Sequence, residues 1–145
     1  MHTTIERELA LKLVLSGDRS VPVPARLRYR ASDPYAVHMS FHINSDTPVD
    51  WAFSRELLVE GLVRPSGQGD VRLWPVIQDE GPVLCLALHS PDGDALLHAP
   101  APTVAAWLQR TLRLVPFGTE SVRLIVGDTL CALLGAPDGS DEAAA

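Results

Sequence analysis

The chain has 145 residues, 46% hydrophobic and 21% charged, a composition that fits one globular domain and excludes intrinsic disorder. Its formal net charge of −6 repels a polyphosphate backbone at long range and argues against general nucleic-acid binding. The two cysteines, Cys85 and Cys131, stand far apart in apolar stretches with neither disulfide-framework nor zinc spacing, so they read as reduced, buried thiols.

The N-terminus places Glu6, Arg7 and Glu8 where a signal peptide needs an apolar core. The apolar runs, of which residues 83–88 are among the longest, fall short of the ~20 residues of a membrane span, so a soluble, cytoplasmic protein is expected. Leu9, Leu11, Leu13 and Leu15 share one parity against Glu8 and Lys12. Residues 4–16 are therefore predicted as a half-buried strand, closed by a turn at Gly17-Asp18. In the next strand Val23, Ala25, Leu27 and Tyr29 face one way and Arg26, Arg28 and Arg30 the other. Pro22 and Pro24 stand at its start, where a missing N–H does least harm. After Asp33-Pro34, a third strand carries Val37, Met39, Phe41 and Ile43 on one face and His38, Ser40, His42 and Asn44 on the other. Three alternating strands with short turns predict an antiparallel meander with one wet face.

After Val49, Trp51 and Phe53 the period changes. Ser54 suits an N-cap, Glu56 favours the positive end of a helix and Gly61 suits a C-cap, so a strand leads into a short helix over residues 54–61. The Gly-rich loop of residues 64–71 lacks the lysine of a P-loop, and its glycines lead into a strand, so it is not a phosphate cradle. Strands over residues 71–77, 83–89 and 94–98 follow, with turns at 79–82 and 90–93. Pro102 opens the clearest helix, with an apolar stripe of Val104, Trp107, Leu108, Leu112 and Val115, and Pro116 ends it. Residues 120–126 fit either strand or helix, and Asp128 caps a last short helix through Leu134. Residues 135–145 form a disordered tail after a single domain spanning 1–134. The fold class is α+β: two antiparallel strand runs, each followed by a helix, a pseudo-duplicated layout without a sequence repeat.

The residues offer little catalytic chemistry. His38 and His42 share a strand face but stand about 13 Å apart, too far for one metal ion. No serine lies in a nucleophile elbow, and neither cysteine has a basic neighbour to activate it. No local pair of carboxylates sits in an apolar setting that would separate their pKa values. Arg26, Arg28 and Arg30 form the one charge feature with direction. They make a solvated face pairing with acids such as Glu6 and Glu8, or, as the second reading, a grip for phosphate or an acidic partner. Trp51, Phe53, Trp74 and Trp107 are core or interface anchors.

Several segments together resemble the SsgA-like family of actinobacterial sporulation and septation regulators. They are VPVPARLRY (residues 21–29), DPYAVHMSFH (33–42), WAFSRELLVEGLVRPSGQGDVRLWP (51–75), SPDGDALLHAP (90–100) and VPFGTE (115–120), in order and at compatible spacing. The opening residues and the DPYAVH block are most similar to the SsgB type. The apolar stretch SVRLIVGDTLCALLG that follows departs from the family's polar, acidic continuation. The resemblance implies no catalytic activity and no cofactor. It implies a fold similar to whirly and mitochondrial guide-RNA-binding proteins, assembled as a trimer. It also implies a role in positioning the tubulin-like GTPase FtsZ at the septum, with an SsgA-type paralogue and a septal membrane protein as further partners. Three surfaces are candidates for partner binding: the Arg26/Arg28/Arg30 face, the loop of Gly67, Gln68, Gly69 and Asp70, and the helix from Pro102. A nucleic-acid binder of whirly-like fold is the rival reading, and the acidic balance argues against it.

Overall fold

The computed structural model describes residues 3–42, 48–91 and 93–120. Four strands open the chain: β1 (Thr4–Ser16), β2 (Arg19–Arg30), β3 (Ala36–Phe41) and β4 (Val49–Ser54). The helix α1 (Arg55–Gly61) follows. Then come β5 (Val71–Gln78), β6 (Gly81–Ser90), β7 (Gly93–Pro100) and the helix α2 (Ala101–Leu114). The expected α+β alternation of strand runs and helices is therefore present.

The two meanders are not separate sheets. They join into one seven-stranded antiparallel sheet of order β4-β3-β2-β1-β7-β6-β5. The seam is narrow, because β1 and β7 register only at Lys12↔His98 and Leu13↔Leu97. Beyond those pairs the strands diverge and the sheet curls. Trp107 on α2 braces this region by donating from Nε1 to the carbonyl of Ile5, 3.3 Å away on β1.

Strand alternation sorts the side chains by face. Leu11, Val23, Leu27, Tyr29, Val37, Met39, Phe41, Leu73, Leu86 and Leu97 share one continuous core with Leu58 of α1 and Val104, Trp107 and Leu108 of α2. Both helices thus cover the same face. The other face is polar on β1–β3, with Glu6, Glu8, Arg26 and Arg30 exposed. On β5–β7 it is mixed: Trp74, Val76, Val83, Cys85, Ala87 and Leu96 form an apolar patch, of which only Cys85 is buried, flanked by Arg72, Gln78, His89, Asp94 and His98. The wet face expected of the first meander is present.

Four local expectations need correction. Leu15 shares the parity of the core leucines yet is 55% exposed, because it lies at the hairpin tip past the layer that the helices cover. Pro22 and Pro24 lie inside β2, opposite Lys12 and Ala10. Among the described residues, β3 reaches β2 only from Ala25 to Arg28, so the prolines lack a second neighbour that would need their N–H. Gly61 is the last residue of α1, not its cap. A Cβ there would come within 2.5 Å of Leu73 Cβ, so glycine is required by the close helix–sheet approach. On α2 the buried face is Val104, Trp107, Leu108 and Thr111, continued by Val115, with Leu112 at its margin. Thr111 is admitted to the core because its hydroxyl donates to the Leu108 carbonyl at 2.8 Å.

The expected positions of Ile43 and Asn44, the strand-or-helix stretch after Glu120, the helix capped by Asp128, Cys131 and the tail of residues 135–145 lie outside the described residues.

Candidate protein-binding surfaces

The three arginines lie where the turn at Gly17-Asp18 puts them. Its register sets Arg26 opposite Glu8, Arg28 opposite Glu6 and Arg30 opposite Thr4. Arg26 donates to Glu8 at 2.8 Å. That hydrogen bond, with the charges of Glu8 and Glu6, pushes the guanidinium further above its ordinary value. Arg28 is half-buried, and its Nε finds no acceptor among the described residues. His38, across from Arg28 on β3, pairs with Asp33 at 3.3 Å. An open trough of about 840 Å³ runs over this face, lined among others by Glu8, Arg26, Arg28, Ser40, His42 and Asp50. Its charges alternate in sign, so it is a solvated mixed-charge face and not a basic stripe.

The loop of Gly67, Gln68, Gly69 and Asp70 is exposed but built for chain reversal. Gly67 and Gly69 adopt φ of 95° and 78°, and a Cβ on Gly67 would sit 2.4 Å from the Val71 carbonyl. The Asp70 carbonyl accepts from the His89 N–H at 2.8 Å, and Ser66 and Leu73 exchange backbone hydrogen bonds. These contacts tie the loop to β5 and β6. The third candidate, α2, spends its apolar face on the core and exposes Gln109, Arg110 and Arg113. The structure does not bring these three surfaces together into one site.

The remaining titratable groups have local explanations. Cys85 is buried, which pushes its thiol up and away from reactivity. His98 is lowered by burial and by the Lys12 charge, and stands 3.4 Å from the Gln78 amide. His89 pairs with Asp94 across the β6–β7 hairpin.

The residues brought together most tightly escaped the sequence reading. Arg55 opens α1 with no accessible surface. Its Nη2 donates to Glu120 at 2.9 Å and its Nη1 to the Thr111 carbonyl at 3.0 Å. The guanidinium lies 4.9 Å from the Tyr29 ring centroid and 5.2 Å from that of Phe117. Burial alone would raise the Glu120 carboxyl. Hydrogen bonds at its own backbone, from Arg55 and from the Gly118 N–H, together with the Arg55 charge, hold it below the usual range instead. A groove of about 530 Å³ opens beside this cluster, with Tyr35, Glu56, Val59, Glu60 and Phe117 on its walls.

The family model described as Streptomyces sporulation and cell division protein, SsgA, matches residues 23–120. The chain belongs to the SsgA family. SsgA-family members similar to it are named sporulation-specific cell division protein SsgB. That of Streptomyces coelicolor is 53% identical over 120 residues, covering 83% of this chain and 88% of the relative. That of Frankia casuarinae is 44% identical over 138 residues, covering 94% and 96%. Two solved structures share the fold, each at a TM-score of 0.81. One comes from work on SsgB mutations that correlate to longitudinal cell division during sporulation of Streptomyces coelicolor, at 53% identity over 83% of this chain and 95% of that one. The other is an SsgA-like sporulation-specific cell division protein of Thermobifida fusca, at 40% identity over 90% and 96%. The SsgA-family model match ends at Glu120, where the quoted resemblance also ends. No helix among the described residues is long and apolar enough to cross a membrane. Arg55 and Glu120 both lie in segments that carried the resemblance, which was the available signal for their importance.

Proposed function

We propose that this chain is a non-enzymatic recruitment module of division septum assembly that helps position FtsZ at the septum. One observation carries the reading: 53% identity to a sporulation-specific cell division protein over 83% of the chain, with the same fold at a TM-score of 0.81. The fold is of the whirly kind, and copies assemble as a trimer. The apolar patch of Trp74, Val76, Val83, Ala87 and Leu96 on the outer face of β5–β7, which neither helix covers, favours such self-association. Its mechanism is binding alone. An oligomer presents several copies of a weak site at once, so it engages a polymer by avidity while releasing single subunits. An SsgA-type paralogue and a septal membrane protein are the further partners of this reading.

Co-sedimentation with FtsZ polymers, with and without GTP, tests it. Pelleting that requires the polymer is the expected result. An intact oligomer that stays in the supernatant under both conditions removes direct recruitment.

A further inference from the structure

We propose that the groove between Tyr35, α1 and the turn bearing Phe117 is a docking site for a protein segment presenting an arginine or lysine between apolar residues. The inference rests on the chain being a protein-binding module, not on FtsZ being the partner. Glu56 and Glu60 line the groove one helical turn apart, and among the described residues neither carboxylate has a hydrogen-bond or ion-pair partner. Like charges at that spacing on a helix repel, and a cation arriving from outside would relieve that repulsion. Arg55 is not that cation. Its two terminal nitrogens are held by Thr111 and Glu120. Among the described residues only its buried Nε lacks an acceptor.

The apolar part of the site is equally specific. Tyr35 is 49% exposed and Phe117 48%, large aromatic areas flanking the Glu56 and Glu60 carboxylates. Phe117 is held by the Arg55 guanidinium, and Tyr35 by its carbonyl, which accepts from the Arg55 N–H at 2.7 Å. Aromatic faces beside carboxylates recognise guanidinium or ammonium groups, through cation–π attraction and charge-assisted hydrogen bonds. An acidic segment or an anionic membrane surface would be repelled.

The full chain, labelled with nitrogen-15, can be titrated with acetyl-Leu-Arg-Leu-amide and with the same peptide carrying citrulline. The arginine peptide is expected to shift the amides of Tyr35, Glu56, Val59, Glu60 and Gly118, less so at high salt, with the citrulline peptide several-fold weaker. The E56Q/E60Q double variant is expected to lose the difference between the two peptides while keeping its oligomeric state by light scattering. Equal shifts with both peptides, shifts elsewhere on the protein, or none at millimolar peptide would overturn the proposal. Dissociation of the oligomer by E56Q/E60Q would overturn it too, since the groove would then be a contact between copies. Peptide binding in the groove without any pelleting on FtsZ would sustain the docking site and sink only the choice of partner.

Discussion

Arg55, itself at zero exposure, meets four groups at once: a carboxylate, a carbonyl and two aromatic rings. A charge so placed is tolerated only because its partners replace water, and removing one partner strands the other. Arg55→Ala is therefore expected to destabilise the fold by about 3 kcal/mol, near the low end for broken buried pairs. Glu120→Gln should cost less, since the amide still accepts a hydrogen bond. Chemical denaturation of both variants and of the double variant would show whether the two losses couple, as partners in contact must. The pH dependence follows with a definite sign. Because the folded Glu120 carboxyl lies below its unfolded value, its contribution is fully present above about pH 4.3 and is lost as pH falls through the folded value. His98, lowered by burial, acts in the same direction nearer neutrality, since the unfolded chain takes up that proton first. Stability measured against pH should fall on the acid side, and Glu120→Gln should flatten the lower part of that fall. None of this was legible locally. The partners lie 65 residues apart, and only the closure of α2 onto the start of α1 brings them together. Glu8 and Arg26 were legible because a single hairpin turn fixes their register.

At the scale of elements, the strands were readable wherever a period of two ran uninterrupted, as in β1 to β3. The start of α1 was readable from its cap, where Ser54 Oγ accepts from the Leu57 N–H at 3.0 Å, and that of α2, which has no side-chain cap, from Pro102. What the sequence concealed was distance between elements. Gly61 resembles a helix terminator, but its role is to let α1 approach Leu73. Alanine in place of an ordinary helix glycine gains up to about 1 kcal/mol. Here the clash wins, and Gly61→Ala is expected to cost about 1–3 kcal/mol through overpacking. Ser54→Ala should cost about 1 kcal/mol through loss of the cap. Gly67→Ala combines a positive φ with a carbonyl in the way, and is expected to cost at least as much as Gly61→Ala. Thermal melts of the three variants give the ranking. A stabilised Gly61→Ala would mean that α1 stands further from the sheet than described.

For the whole molecule, the decisive quantity is the sign of its charge where a ligand would bind. The whirly-like reading invites nucleic acid, and the three arginines of β2 invite it again. Yet Arg26 is held by Glu8, Glu6 faces Arg28, and Asp50 lines the same trough. With the chain at −6, a strand of DNA or RNA approaching this face meets as much repulsion as attraction. Anisotropy of a labelled single-stranded oligonucleotide at low salt should therefore stay flat as protein is added. A rise that collapses with added salt would instead reveal a phosphate grip and displace the recruitment reading. Self-association answers to a different surface and should resist salt. The outer face of β5–β7 carries an apolar patch around Trp74, Val76, Val83 and Leu96, so its burial is driven by area, and a stable contact needs about 1,000 Å² or more. Light scattering at micromolar concentration is expected to report an oligomer whose mass holds as salt rises. Introducing charge there, as in Val76→Glu, should release monomers while leaving the helix-covered core folded, because that core lies on the opposite side of the sheet. A variant that stays oligomeric would move the self-contact off this face.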